Sequence, residues 1–232
     1  MDSIKAAARR TGFLYLMLMI GPFNLIYIPS AFIVPGDATA TANNITAGES
    51  IYRLGIFSGL LTEIIWLFLV LSLYNLLKDV DRKHARLMVM LVAAGVAVGL
   101  VNLFNEIAPL ILLSGADYLS VFTKLQLDAL ALCFLKLRAG GNNVAMVFWG
   151  LWLLPFGILV IKSRFIPRIL GYLLIVGCVA YFAVSFTGIV FPAHKQVVDQ
   201  IALPFYAIGE LSMILWLLIK GAKVQESVVR TF

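Results

Sequence analysis

Carboxyl and amide side chains occur inside long apolar stretches of this sequence, where polar groups are costly to place. The third apolar stretch carries them in a regular pattern, with steps of four, three, four and three residues: Gly95, Gly99, Asn102, Glu106 and Pro109. Residues at these spacings share one face of a helix. The pattern therefore predicts a polar face inside the membrane, bordered by Asn105.

Other apolar stretches contribute further polar residues at comparable predicted depth, in the outer half or the middle of the membrane. Low solubility of such groups in hydrocarbon favours a shared polar cavity, which we expect to open outward. The candidate ligand-binding or proton-binding residues are Asn24, Glu63, Asn102, Asn105, Glu106, Tyr181 and Glu210.

The same pattern also fits helix packing. Small residues let helices approach closely, and Asn or Glu side chains hydrogen-bond across helices. Three carboxylates with two asparagines at matching depth favour a binding or proton-handling site about as much as a structural role. The sequence leaves both interpretations open.

Motifs of known catalytic or metal chemistry are absent from the sequence. His84 and His194 are predicted on opposite sides of the membrane, which excludes a site with several histidines. Cys133 and Cys178 each lie in an apolar stretch of the sequence. Their number and spacing match neither a disulfide framework nor a metal site. We therefore expect no metal and no cofactor, and an enzyme is not the favoured interpretation.

The apolar stretches themselves predict the elements that position these residues. Hydrophobic residues make up 62% of the chain and charged residues 13%. Runs near 20 residues match a hydrocarbon core of roughly 30 Å at 1.5 Å per helical residue. We predict an all-α, polytopic membrane helix bundle, one domain over 1–232, with six transmembrane helices at about 11–34, 55–77, 87–113, 144–161, 165–190 and 199–219.

Positive charge predicts the orientation of the bundle. Thirteen of the 18 Lys and Arg residues lie in alternate connecting segments, and the remaining segments hold few. Basic segments stay cytoplasmic, so we expect both termini inside. The bases lie at span ends, which indicates contact with the lipid bilayer and not with nucleic acid. The thirteen are Lys5, Arg9, Arg10, Lys78, Arg82, Lys83, Arg86, Lys162, Arg164, Arg168, Lys220, Lys223 and Arg230.

The stretch 118–138 is helical in character but charged. Lys124 and Asp128 stand four residues apart, and Lys136 and Arg138 close the stretch. As a full span it would invert the last three spans, against the charge bias. We predict an amphipathic helix at the outer interface, followed by a turn at 140–143.

Several segments resemble one known family. They are 8–12, 34–45 with its PGDATAT loop, 73–77, 162–171 with its KSRFIPRILG turn, and 215–221. Nearly end to end, the chain is similar to an uncharacterised family of multi-spanning bacterial inner-membrane proteins, a domain of unknown function. The resemblance implies a bacterial plasma (inner) membrane and a single domain, and it implies no activity or cofactor.

The favoured function is binding or passage of a small molecule, lipid or proton through the outer-half cavity. One alternative is an accessory or scaffold subunit with partners in a larger membrane complex. Another is a membrane-embedded enzyme that uses Glu63, Glu106 or Glu210 as acid or base.

Overall fold

The computed structural model describes residues 2–221, and this part of the chain is built from α-helices and short helical turns. It contains nine α-helices: α1 (Asp2–Met17), α2 (Ile28–Phe32), α3 (Ala38–Ala47), α4 (Glu49–Leu77), α5 (Arg82–Leu112), α6 (Lys124–Leu151), α7 (Leu153–Ser163), α8 (Arg168–Val190) and α9 (Lys195–Ile219). Turns of 3-10 helix lie at Leu18–Ile20, Asp117–Leu119 and Pro192–His194, and a π-helical turn lies at Phe23–Tyr27.

Six helical stretches of the described chain are long and apolar enough to cross a membrane. They are Lys5–Phe32, Glu49–Leu77, Arg82–Leu112, Lys124–Ser163, Arg168–Val190 and Pro192–Ile219. The predicted all-α bundle with six spans is therefore confirmed. Side chains on the outward faces are large and apolar, as with Phe104 and Val179, so the bundle meets lipid around its circumference.

The spans form a closed ring. α1 packs against both α4 and α9, α5 packs against α4, α6 and α7, and α8 joins α6 and α7 to α9. Contact between the first and last spans is close, because a Cβ atom at Gly12 would overlap the backbone of Leu217 and Leu218.

An aromatic group fills the centre of this ring. Trp152, at the break between α6 and α7, is almost fully buried. Its ring stacks on Phe156 at 5.4 Å between centroids and meets Tyr15 and Trp66 edge-on at 5.9 and 6.0 Å. Large rings in such contacts hold three spans together through apolar packing.

The prediction of a separate interfacial helix at 118–138, with a turn at 140–143, is wrong. The helix begins at Lys124, where Thr123 forms a capping box with Gln126, and it continues unbroken to Leu151. Residues 140–143, predicted as a turn, are helical. Together, α6 and α7 form one helical stretch of 40 residues, whereas the prediction for the fourth span is the 18 residues 144–161.

Two tertiary contacts explain this error. Arg138 was interpreted as a surface charge, but it is buried and paired inside the bundle. Gly141 lies against the Asn102 side chain, where a Cβ atom would overlap the amide. The glycine is therefore a point of close helix approach, and tertiary packing overrides its low helix propensity.

The basic segments of the described chain gather at one end of the bundle. Lys162, at the end of the fourth span, donates to Asp81, just before the third span, at 2.7 Å, and Lys5 lies beside Gly221. Lys162 and the His84 backbone N–H both donate to Asp81, which holds the pKa of that carboxyl well below its usual range. Lys223 and Arg230, two of the thirteen bases, lie outside the described residues.

Candidate functional site

The first span is irregular where it enters the site. Its helix passes from the 3-10 turn into the π-helical turn Phe23–Tyr27, and the N–H of Ile28 donates to the carbonyl of Phe23. In this five-residue register the carbonyl of Asn24 would pair with position 29, but Pro29 has no N–H. The turn therefore leaves one backbone acceptor free inside the membrane.

Arg138 from α6 satisfies that acceptor. Its Nη2 donates to the backbone carbonyl of Asn24 and to Asn24 Oδ1, both at 2.8 Å. The side chain of Arg138 is only 5% exposed. Irregular backbone at membrane depth is tolerated where a protein group re-satisfies it, and here a guanidinium does so.

Glu106 from α5 neutralises Arg138. Arg138 Nε donates to Glu106 Oε1, and Asn24 Nδ2 donates to Glu106 Oε2 at 2.7 Å. The Glu106 side chain is 4% exposed. Three spans therefore meet in one closed arrangement of a cation, an anion and an amide, each hydrogen-bonded to the other two.

Further groups extend this arrangement into α4, α5 and α6. Asn24 Nδ2 also donates to the carbonyl of Gly55 at 2.9 Å, and the Tyr52 hydroxyl donates to the carbonyl of Glu106 at 3.1 Å. Asn102 Nδ2 donates to the carbonyl of Arg138 at 3.0 Å and to Asn142 Oδ1 at 2.8 Å. Asn105 Nδ2 donates to Asn102 Oδ1 at 3.0 Å. We call this set the Arg138 cluster: Asn24, Tyr52, Asn102, Asn105, Glu106, Arg138 and Asn142.

A second polar cluster lies on the other side of the bundle. Tyr15 from α1 and Tyr181 from α8 donate to the two oxygens of Glu210 on α9, at 2.8 and 2.9 Å. Tyr206 stacks on Tyr181 with 4.4 Å between ring centroids. We call Tyr15, Tyr181 and Glu210 the Glu210 cluster. Its donors are neutral hydroxyls, and Glu210 is partly exposed.

Glu63 belongs to neither cluster. It is the middle residue of α4, about 21 Å from each helix end at 1.5 Å per residue. Its side chain lies against Gly99 of α5, where a Cβ atom would overlap the carboxyl group. Glu63 is 8% exposed, and its buried Oε2 has no hydrogen-bond partner among the described residues.

The structure therefore divides the predicted site. Four of the seven predicted residues meet in the Arg138 cluster: Asn24, Asn102, Asn105 and Glu106. Tyr181 and Glu210 meet each other elsewhere, and Glu63 stands apart. The expected single cavity is thus replaced by two compact clusters and one isolated carboxyl group within the described chain.

Four residues of the two clusters were not predicted from the sequence: Arg138, Tyr15, Tyr52 and Asn142. A periodic signal existed for the first, because the buried residues Asp128, Ala131, Leu135 and Arg138 recur at steps of three and four along α6. The second follows Ala8 and Thr11 at the same steps and shares their buried face of α1.

A groove lies at the end of the bundle opposite the basic segments. It has a volume of about 630 Å³ between α3 and the start of α6, and its lining includes Asn43, Thr46, Lys124 and Asp128. The buried face of α6 runs from Asp128 to Arg138, a distance of about 15 Å along the helix. The groove and the Arg138 cluster are therefore connected by one buried face of α6.

The chemistry available to these sites is recognition and proton exchange. Residues 2–221 hold no group of three or more His, Cys, Asp or Glu residues that could bind a metal ion. Arg138 offers a planar cationic donor, and the amides offer donors and acceptors in fixed positions.

Six apolar spans that enclose buried polar clusters define a polytopic helical membrane protein. The chain belongs to the family described as "Domain of unknown function (DUF4386)", whose model matches residues 10–221. This confirms the predicted membership of an uncharacterised family. No curated protein and no solved structure matches the chain.

Proposed function

We propose that this protein binds a small anionic molecule, bearing a carboxylate or a phosphate, at the Arg138 cluster and passes it through the outer half of the membrane. The observation that carries the proposal is the buried Arg138–Glu106 pair at the break in the first span. Ionisable residues inside spans commonly mark substrate paths, and broken helices commonly form transporter sites.

Stability alone is a weak reason for such a pair. Replacing a buried ion pair with well-packed apolar residues is often neutral or stabilising, because both charges lose their hydration. The pair is also suited to the exchange of Glu106 for an anionic ligand. Glu106 presents to Arg138 the same carboxylate group that an anionic ligand would bring, so a ligand could take its place on the guanidinium.

Arg138 has donors left for that ligand. Its bonds to other described residues use Nε and Nη2, and Nη1 donates to none of them. Guanidinium groups bind carboxylate and phosphate through pairs of parallel N–H bonds. Asn102 bonds the backbone carbonyl of Arg138, and with Asn105 and Asn142 it supplies neutral donors and acceptors that would help to orient the ligand.

We further propose that the protein lies in a bacterial plasma membrane with its basic end in the cytoplasm. The gathering of Lys and Arg at one end of the bundle supports this orientation. A membrane-impermeant maleimide applied to intact cells should label Asn43→Cys and not Asp79→Cys in a chain without its two native cysteines. The reverse labelling would overturn the orientation and with it the outward direction of the site.

Binding can be tested by thermal unfolding in detergent with a panel of small carboxylates and phosphates. A ligand at 100 times its Kd adds about 2.7 kcal/mol to the free energy of unfolding. We expect at least one anion to raise the Tm of the wild-type protein and to enter liposomes that contain it.

Matched substitutions in α6 distinguish binding at Arg138 from a general effect of positive charge. Arg138→Lys keeps the charge but loses the planar fork, so the Tm shift should fall sharply. Lys136→Gln removes an exposed base two residues away and should leave the shift unchanged. Equal shifts in all three proteins, or no shift with any anion in the panel, would contradict the proposal.

A further inference from the structure

Glu63 is a buried ionisable group that the proposed function does not use. It lies at the middle of α4 and contacts the α5 backbone at Gly99. Its Oε2 atom is buried and accepts no hydrogen bond from any described residue. An ionised carboxylate in this position would be both unpaired and unhydrated, which costs far more than burial of the neutral acid.

From this placement we propose that Glu63 is a proton-binding site at the centre of the membrane, which carries a proton at neutral pH and exchanges it with water. The proposal does not depend on anion binding at Arg138. A metal cation is a poor occupant, because hard cations need several oxygen ligands and Glu63 supplies the one carboxylate here.

No charged neighbour offsets this burial. The ionisable groups that face the interior from the helices packed on α4 are Tyr15 on α1 and Glu106 on α5, and each has its own partner. On α4 itself, Tyr52 donates to a backbone carbonyl. The remaining charged groups of α1, α4 and α5 with described side chains lie near the ends of their spans: Lys5, Arg9, Arg10, Glu49, Arg53, Arg82, Lys83, His84 and Arg86. Tyr27, on the π-helical turn packed on α4, is exposed, and Tyr74 lies near the C-terminal end of α4. Burial therefore acts on Glu63 without compensation from a cation.

The face of α4 that carries Glu63 leads toward the Arg138 cluster. Gly55, Gly59 and Glu63 recur at steps of four along one face of α4. Asn24 fills the space in front of Gly59, where a Cβ atom would lie 3.1 Å from its Cγ. One helical turn, about 6 Å, separates that contact from Glu63. A local shift of the irregular first span would open this face to water from the cluster.

Infrared spectroscopy of the full chain in lipid tests the proposal. A protonated carboxylic acid has a C=O stretch that is separate from the carboxylate bands and moves in D₂O. We expect this band at neutral pH in the wild-type protein, its loss in Glu63→Gln, and its decline as the pH is raised. It should persist in Glu49→Gln, since Glu49 is exposed and paired with Arg53.

Absence of the band in the wild-type protein, its persistence in Glu63→Gln, or its insensitivity to pH would each overturn the proposal. If Glu63→Gln does not fold, Gly99→Ala gives the same decision. The added methyl group presses on the carboxyl group, so the band must change frequency if it belongs to Glu63. None of these readouts involves an anion, so failure here and failure of the proposed function are distinguishable.

Discussion

The Arg138 cluster and the Glu210 cluster both hold a carboxylate between spans, but they satisfy it in different ways. Glu106 is enclosed and faces a full positive charge at a break in the first span. Glu210 is partly exposed and faces two tyrosine hydroxyls, one from the regular part of α1 and one from α8. One cluster balances charge, and the other supplies hydrogen bonds only.

This difference decides what each cluster contributes. A hydrogen bond between neutral donors and an acceptor adds a modest stabilisation that many helix pairs use. A buried ion pair adds little net stability over apolar packing, and it costs several kcal/mol when one partner is removed. Fold stability therefore accounts for the Glu210 cluster but gives little reason for the buried ion pair of the Arg138 cluster.

The largest expected effect is the removal of one partner of the ion pair. Arg138→Leu or Glu106→Leu should lower the free energy of unfolding by about 3–5 kcal/mol, because a buried charge is left unpaired. The double variant should recover most of that loss. Thermal unfolding in detergent measures all three.

If the two single losses simply add in the double variant, the buried pair is not a coupled unit, and the contrast between the clusters fails. Additivity is the behaviour of independent sites, whereas residues in direct contact show interaction energies of about 0.5–3 kcal/mol.

Close helix approach beside the Arg138 cluster gives the next largest effect. A methyl group at Gly141 would overlap the Asn102 amide, so Gly141→Ala should cost about 1–3 kcal/mol. The adjacent Gly140 has open space at its Cβ position, so Gly140→Ala should stabilise the helix by about 0.5–1 kcal/mol. Equal Tm values for the two variants would contradict the packing of α5 on α6.

The Glu210 cluster should respond more weakly. Tyr181→Phe removes one hydrogen bond to Glu210 and should cost about 0.5–1.5 kcal/mol. Tyr206→Phe keeps the stacked ring and serves as the control, with no expected loss. A loss for Tyr181→Phe as large as that for Glu106→Leu would show that the two clusters carry comparable energies.

The exposed ion pair between Asp81 and Lys162, at the basic end of the bundle, should give the smallest effect on stability. Asp81→Asn keeps the helix cap but loses the charge that pairs with Lys162, so a small drop in Tm is expected near neutral pH. The lowered pKa of Asp81 means that its contribution is complete above its ordinary pKa and disappears as the pH falls through the folded value. The Tm difference between wild type and variant should therefore vanish in strong acid. A constant difference across pH would refute the ion pair.

Hydropathy and charge were enough to predict six spans, because length and composition determine what can cross a bilayer. The stripe through Asn102 and Glu106 also predicted one half of the site. Arg138 escaped prediction because a basic residue just before Gly140 and Gly141 resembles the end of a helix at the membrane surface unless its partner is known. Which side chain pairs with Arg138 depends on the tertiary packing of the helices, and the spacing of residues in the sequence does not specify that packing. The separation of Glu210 escaped for a similar reason, since depth along a helix does not specify which neighbour the side chain faces.

Anion binding by the Arg138→Leu, Glu106→Leu double variant tests the central claim most directly, because this variant separates the chemistry of the pair from the stability of the bundle. We predict that the double variant unfolds at a higher temperature than either single variant and no longer gains Tm from the anion that stabilises the wild-type protein. An unchanged Tm gain in this variant would show that the pair only joins helices and that the binding site lies elsewhere.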